Sequence, residues 1–457
     1  MSLLKTFDQS DTREVGRELH RFASELYPIC RSITGDGIRR TLSMIGHRVP
    51  LKTFEVPTGT PVFDWTVPKE WNIQDGYIKG PDGTRVVDFQ KCNLHVVNYS
   101  TPVHKTMSLD ELKPHLHSIP QNPDWIPYRT SYYKPDWGFC LTHHQLLALR
   151  AGQYEVSIDS SLEDGHLTYG ECYFPGRSSD EVLISCHACH PSLANDNLSG
   201  LTVATSLAQL LSGKDLRYSY RFVFIPGTIG AITWLARNRD AAARIRHGLV
   251  LTGIGDQGGF HYKKSRQGSA QIDRVAAHVL RHESESAEIL DFSPYGYDER
   301  QYCSPGFNLA VGCLMRSVWG SYPEYHTSAD NLEFIGPERL AQSLRVCTAI
   351  LDVLEHDRRY INLNPYCEPQ LGRRNLYRST GGEAIPAEIN ARLWVLNLSD
   401  GEHSLLDIAE RSGLRFASIC DAAELLLENQ LLSLVPGDEK KRTDRGELSP
   451  ENILRRT

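Results

Sequence analysis

Residues 181–200 read EVLISCHACHPSLANDNLSG and contain the strongest local signals for secondary structure in the chain. Its beginning is a short, mostly apolar run that predicts a buried strand ending at His187. A longer apolar segment from Leu198 to Leu211 then predicts a helix. Because a buried strand leads directly into an apolar helix, the pattern predicts an α/β domain with a largely parallel sheet.

Two further strands repeat this pattern downstream. Residues 221–225 read RFVFI and end just before Gly227, and residues 249–254 end just before Asp256. Ligands of open α/β sheets bind beyond the carboxyl ends of the strands. We therefore expect His187, Gly227 and Asp256 to lie in one site.

The remaining segments predict further domains, since 457 residues are too many for one ordinary core. Residues 1–56 and 146–362 are predicted to form the α/β domain as two separate pieces. Residues 57–145 contain short β-like runs and many turn residues, which indicates an inserted β-rich domain. The order helix, glycine turn, helix and strand predicts a winged helix over residues 373–437. A charged tail over residues 438–457 is predicted to be disordered.

Composition restricts the classes of function. A net charge of −7 gives no overall attraction for nucleic acid or anionic membranes. The first residues lack the apolar core of a secretory signal, and no later stretch is apolar over a membrane-spanning length, so we expect a cytoplasmic protein without a membrane partner. The 11 cysteines have irregular spacing, which favours reduced thiols over a disulfide framework.

Four side chains are candidate metal ligands: His187, Asp196, Asp256 and His326. Histidine and carboxylate together suit zinc, and a site with two ions needs one carboxylate that bridges them. Asp196 can bridge because it follows the strand that ends at His187. Each residue also has an ordinary structural role open to it, such as a helix cap, a turn or a core hydrogen bond.

In this order the four residues resemble the co-catalytic zinc aminopeptidases, whose fold glutaminyl cyclase shares. More closely, the chain resembles bacterial aminopeptidase-like proteins of unknown function that carry a β-rich insertion and a C-terminal winged helix. The stretches that carry this closer resemblance are VFDWTVP at 62–68, WGFC at 137–140, CHPSL at 189–193, DERQYCSPG at 298–306 and YPEYHTS at 322–328.

The resemblance implies a mixed, mainly parallel sheet flanked by helices. It also implies that His187 and Asp256 bind one zinc ion, that His326 binds a second, and that Asp196 bridges the two. His190 competes with His187 for its role; His187 is preferred because it ends the predicted strand.

The resemblance also shows what this chain lacks. The superfamily places a general-base glutamate and a metal-binding glutamate where this chain has Gly227 and Thr228. Close relatives usually read Pro-Glu-Thr-Ile-Gly here and so keep the base. We therefore expect one firmly bound Zn²⁺, with the second site, on the His326 side, weak or absent. Asp298 and Glu299 are the candidates for moving the substrate's protons in place of the missing base.

Three functions remain open. The first is a metal-dependent hydrolase or acyl-transfer enzyme that acts on an amide or peptide-like bond of a small substrate. The second is a catalytically impaired metal-binding or ligand-binding protein with a winged-helix interaction module, and the third is an aminopeptidase with a damaged base. Residues 416–424, in the predicted recognition helix, contain no Lys or Arg and two acidic residues, which argues against DNA binding and favours packing or homo-oligomerisation.

Overall fold

The computed structural model describes residues 2–377 and 386–436, which divide between two compact units. The larger unit contains the residues up to Asp352, apart from Pro175–Asp180 and Asp215–Ser219. Those two segments and the residues from Val353 onwards form the smaller unit. The predicted disordered tail at 438–457 lies outside the described residues.

An eight-stranded sheet forms the centre of the larger unit. Its strands, in spatial order, are Lys52–Pro57, His166–Phe174, Ser219–Ile225, Glu181–His187, Ile245–Leu251, Val311–Met315, Phe260–Lys263 and Ala287–Leu290. Glu181–His187 pairs in parallel with Ile245–Leu251, which pairs in parallel with Val311–Met315. His166–Phe174 pairs antiparallel with Ser219–Ile225. The sheet is therefore mixed, as expected.

The strand Glu181–His187 is buried at every position, because helices cover the sheet. The helices of this unit are Leu3–Asp8, Thr12–Leu26, Asp36–Gly46, Leu109–Leu112, His143–Ala148, Gly200–Leu211, Ile229–Arg237, Arg239–Ala242, Gln271–Glu283, Glu299–Tyr302 and Pro337–His356, the last of which continues into the smaller unit. The helix expected from Leu198 begins at Gly200. Asp196 and Asn197 precede it with non-helical backbone angles, in an irregular turn over Ala194–Ser199.

A second sheet of the larger unit has four antiparallel strands. Their spatial order is Arg85–Asp88, Glu70–Lys79, Gln153–Glu163 and Val103–Ser108. Shorter strands pair as Pro61–Val62 with Trp65–Thr66 and as Leu116–His117 with Phe139–Cys140. The strand Gln153–Glu163 lies past residue 145, so this sheet extends beyond the range expected for the β-rich insertion.

Within the described residues, the smaller unit combines the end of the helix Pro337–His356 and three further helices with a three-stranded sheet. Its helices are Ala387–Leu398, Leu405–Ser412 and Phe416–Glu428, and its strands are Asp400–Ser404, Arg359–Asn362 and Leu432–Leu434. Between the second and third helices, Gly413 has φ +70°, a left-handed conformation that glycine adopts without steric cost. The order of helix, glycine turn, helix and strand is the one that the sequence predicts.

Candidate active site

Two neighbouring strands bring His187 and Gly227 together. His187 ends the strand Glu181–His187, and Gly227 follows Ser219–Ile225, the adjacent strand in the sheet. A Cβ atom built on Gly227 would lie 3.1 Å from the Cβ atom of His187. The expectation that these two residues share a site therefore agrees with the geometry.

Asp196 is fully buried, and a second aspartate fixes its backbone. The N–H of Asp196 donates to Oδ2 of Asp330 at 3.0 Å, and the N–H of Ala194 donates to the Asp330 carbonyl at 2.9 Å. Burial raises the pKa of Asp330 to about 8. Asp330 therefore holds the irregular turn that aims the Asp196 carboxylate.

Three histidine rings surround the Asp196 carboxylate. Nε2 of His187 lies 2.8 Å from Oδ1, and Nε2 of His326 lies 3.0 Å from Oδ2. Nε2 of His190 lies 3.9 Å from Oδ2. One potential ligand atom from each of His187, His190 and Asp196 lies within 4.8 Å of the other two, so these residues form a possible His/Asp metal site.

The protonation states suit metal binding. Burial lowers the pKa of His190 to about 3, so its imidazole is neutral and keeps a lone pair for a cation. Burial alone raises the pKa of Asp196, but the surrounding histidines outweigh this effect and hold it well below the ordinary range. The carboxylate is therefore ionised at neutral pH.

His326 is held in a left-handed backbone conformation with φ +56°, which is uncommon for a residue other than glycine. The N–H of Tyr128 donates to the His326 carbonyl at 2.7 Å, and the ring of Tyr325 stacks on the His326 ring with centroids 4.0 Å apart. These contacts keep the imidazole directed at Asp196.

The structure does not bring the Asp256 carboxylate into this group. Its Oδ1 accepts hydrogen bonds from the Gly258 N–H and the Ser317 hydroxyl, both at 2.7 Å. Its Oδ2 accepts one at 2.8 Å from the side chain of Asn195, the neighbour of Asp196. Asp256 therefore bonds to the residue that precedes Asp196 and lies outside the possible His/Asp metal site.

Asp298 lies next to Gly227, and both residues line the cavity. Its Oδ1 would lie 3.7 Å from a Cβ atom on Gly227. Within the described residues, both of its carboxylate oxygens are buried without a hydrogen-bond partner. Burial raises the pKa of Asp298 to about 7, although the charge of His187 opposes this rise. A carboxyl group that titrates near neutrality therefore lies beside Gly227.

Glu299, the other candidate for proton transfer, is in a different environment. Its Oε1 accepts a hydrogen bond from Nζ of Lys263 at 2.7 Å, and both side chains are buried. Nζ of Lys263 also donates to the Tyr295 carbonyl at 2.7 Å. Within the described residues the Oε2 atom of Glu299 is buried without a hydrogen-bond partner. Because Glu299 pairs with Lys263 through Oε1 and is not among the residues that line the cavity, its contacts indicate a structural role.

Replacing Lys263 with Met is expected to lower the free energy of unfolding by about 3–5 kcal/mol, because it leaves the Glu299 charge buried without a partner. Urea unfolding of the full chain measures this change. The matched control is Lys264→Met, which removes the largely exposed pair with Asp291 and should cost less than about 1 kcal/mol. Equal losses in the two variants would show that Lys263 and Glu299 form no structural pair.

The site contains one cavity of about 440 Å³. Its wall contains the three histidines, Gly227, Thr228 and Asp298, as well as two arginines. It also contains four tyrosines: Tyr128, Tyr132, Tyr297 and Tyr325. The Tyr297 ring stacks on His187 with centroids 5.0 Å apart. The cavity therefore combines a possible His/Asp metal site, a carboxyl group and aromatic walls, as a site for a small molecule does.

Two family models match the chain. Residues 20–357 match a domain of unknown function, DUF4910, and residues 358–434 match a winged helix-turn-helix. A Clostridium acetobutylicum protein is 52% identical over 426 residues, which cover 93% of this chain and 98% of the relative. Its name provisionally assigns it to polysaccharide biosynthesis and gives it an aminopeptidase-like domain.

Solved structures define the class of fold. The crystal structure of a protein from C. acetobutylicum, provisionally named a peptidase, has a TM-score of 0.90 and 50% identity, and the match covers 94% of this chain and 99% of that chain. BSAP, a zinc aminopeptidase from Bacillus subtilis, has a TM-score of 0.52 and 13% identity, and the match covers 73% of this chain and 94% of that chain. At that identity the likeness shows the fold alone.

The fold is therefore that of the zinc aminopeptidases, with a winged helix toward the C-terminus. Within it, the chain belongs to the DUF4910 family. The resemblance and the fold class that the sequence suggested are both confirmed. Among the described residues, no helix is long and apolar enough to cross a membrane.

Sequence reasoning assigned no role to several residues of this site. Asp330 and Tyr297 contact the cluster from loops far along the chain, and no motif marks either of them. Arg129 and Arg300 also line the cavity. His190 was only the competitor of His187, although the structure places both rings beside Asp196. The sequence signal for His190 is its position three residues after His187 and shortly before Asp196.

Proposed function

We propose that this protein is a metal-dependent hydrolase that cleaves an amide bond of a small substrate, with Asp298 as its general base. The unpartnered carboxyl group of Asp298 beside Gly227 carries this proposal. A general base must reach the water that attacks the substrate and must titrate near the working pH. Asp298 lines the cavity, and its pKa of about 7 meets the second requirement.

The metal ion would be zinc, held by His187, Asp196 and His326 with His190 as a further ligand. Neutral imidazole nitrogens and one ionised carboxylate form a donor set that zinc prefers, so the residues fit the ion. Asp256 would act as a positioning residue through Asn195. Because Thr228 replaces a carboxylate ligand, we propose one firmly bound ion per chain.

When bound, the ion would polarise the substrate carbonyl and lower the pKa of water. Asp298 would accept a proton from the attacking water while the water oxygen bonds to the amide carbon. The carbon–nitrogen bond then breaks, and the protonated Asp298 returns its proton to the leaving nitrogen. The products are a carboxylic acid and an amine, so water supplies all the atoms that the substrate gains.

Two kinds of relative support this class of reaction. BSAP is a zinc aminopeptidase with the same fold, and the C. acetobutylicum relative is named for polysaccharide biosynthesis. A substrate panel should therefore contain aminoacyl amides, N-acyl amino acids and N-acyl sugars.

All 11 cysteines are free thiols, which fits the proposed location in the cytoplasm.

The test measures metal content and pH dependence together. We expect one zinc ion per chain, loss of amide hydrolysis after chelation, and recovery on adding zinc. We also expect kcat/KM to rise with pH as Asp298 loses its proton. A bound cation lowers the pKa of a nearby carboxyl group, so this rise should centre at or below about pH 7. Hydrolysis that is unaffected by chelation would contradict the proposal.

A binding protein is the second candidate, because Gly227 and Thr228 supply neither a base nor a charged ligand. In that case the cavity would hold a small ligand, and the winged helix would contact another protein. Its helix Phe416–Glu428 contains no Lys or Arg and three acidic residues, which does not suit contact with phosphates. Stoichiometric zinc without turnover of any panel substrate would favour this candidate, and salt-dependent retention of DNA would revise the role of the helix.

A further inference from the structure

Two arginines line the cavity, and within the part of the chain that the structure describes neither forms an ion pair with a carboxylate. Arg129 and Arg300 both belong to its wall. The only side-chain hydrogen bond that Arg129 makes within the described chain is with Nδ1 of His117, at 3.1 Å. Nε of Arg300 is buried and has no hydrogen-bond partner in the same described residues. Burying a hydrogen-bond donor without a partner costs free energy. An unpaired donor on a residue that lines a cavity therefore indicates that a ligand accepts its hydrogen bond.

The charge of the cavity favours an anion. Asp298 is the one carboxylate among the lining residues, whereas the same lining contains two arginines. The proposed metal ion would add further positive charge. A substrate with a free amine would need carboxylate acceptors, and the proposed reaction already uses Asp298 for proton transfer. The cavity therefore offers a poor environment for an ammonium group and a good one for an acidic group.

We infer that the substrate carries an anionic group, a carboxylate or a phosphate, which Arg300 and Arg129 bind beside the amide to be cleaved. The planar guanidinium group matches both anions because it can donate two parallel hydrogen bonds. This inference deepens the proposed function and rests on it. The inferred substrate differs from that of an aminopeptidase, because the enzyme would bind it by an acidic group and not by a free amine.

Calorimetric titration of the full chain with small probes tests the inference. The probes are N-acetylglycine, its neutral analogue N-acetylglycinamide, cationic glycinamide and inorganic phosphate. The titrations use both zinc-loaded and chelator-treated protein, because an anion that binds only the metal would lose its affinity after chelation. We expect an anionic probe to bind in both states and N-acetylglycinamide to bind at least about tenfold more weakly. A preference for N-acetylglycine over phosphate would identify a carboxylate substrate, and the reverse would identify a phosphate-bearing one.

Variants then locate the binding. Arg300→Gln and Arg129→Gln should each weaken the preferred anionic probe by about tenfold. Arg300→Lys, which keeps the charge, should recover part of the affinity. Arg17→Gln is the matched control, because Arg17 is exposed and pairs with the exposed Glu14 on the helix Thr12–Leu26. Unchanged binding in both cavity variants, binding that requires zinc, or a preference for glycinamide would each overturn the inference. Because these titrations need no turnover, they separate failure of the anion site from failure of the hydrolase proposal.

Discussion

Replacing Asp298 with Asn is expected to lower kcat/KM for amide hydrolysis by about 10²–10⁴-fold, the usual contribution of a positioned general base. The amide side chain has nearly the same shape as the carboxylate but cannot accept the proton of water. Because Asp298 is not a proposed ligand, zinc content should stay at the level of the parent chain. The loss should therefore appear in the rate and not in the metal analysis.

The matched control is Asp291→Asn. Asp291 lies in the same segment, but its side chain is 91% exposed and pairs with Lys264. The same chemical change there should leave kcat/KM within about twofold of the parent value, because exposed pairs contribute little. If Asp298→Asn kept the parental rate, another group would have to be the base.

Replacing Asp196 with Ala is expected to remove stoichiometric zinc and, with it, all zinc-dependent hydrolysis. The Asp196 carboxylate contacts both His187 and His326, so its loss removes the buried anionic ligand that these two rings share. Metal analysis by mass spectrometry after gel filtration measures this outcome. Zinc retained at one ion per chain would contradict the assignment of the site.

Asp256→Asn separates a ligand from a positioning residue. The variant keeps an oxygen and the shape of the side chain beside Asn195. Residues that orient metal ligands typically change metal affinity by about 10–100-fold when they are replaced. We therefore expect zinc to bind Asp256→Asn more weakly but at one ion per chain. Complete loss of zinc in this variant would assign Asp256 to the metal, as the family resemblance implies.

The sequence predicts much of the fold because its strong signals are local. The apolar run that ends at His187 and the apolar helix after it need no distant contact to be recognised, and both are found within a few residues of their expected bounds. The sequence does not assign the strand Gln153–Glu163 to the β-rich insertion, because its partner Glu70–Lys79 lies far away in the chain. Pairing between distant strands leaves no local pattern.

The site was predictable only in part, for a similar reason. His187 ends a buried strand, so its position follows from the sheet. The different environments of Asp298 and Glu299 do not follow from sequence, since adjacent residues point in different directions. Lys263 takes Glu299 as its partner, whereas Asp298 is left facing the cavity. Only the three-dimensional arrangement shows which of the two carboxyl groups is free.

We propose that Asp298 acts as the general base in place of a glutamate at position 227. The most direct test is the kcat/KM of Gly227→Glu relative to the parent chain. A Cβ atom at this position would lie 3.1 Å from the Cβ atom of His187 and close to the Asp298 carboxylate, so the new side chain would crowd one and repel the other. We predict no gain in kcat/KM for Gly227→Glu. A gain in kcat/KM of about tenfold or more would show that the parent chain lacks a general base which the new glutamate supplies. That result would contradict the role of Asp298.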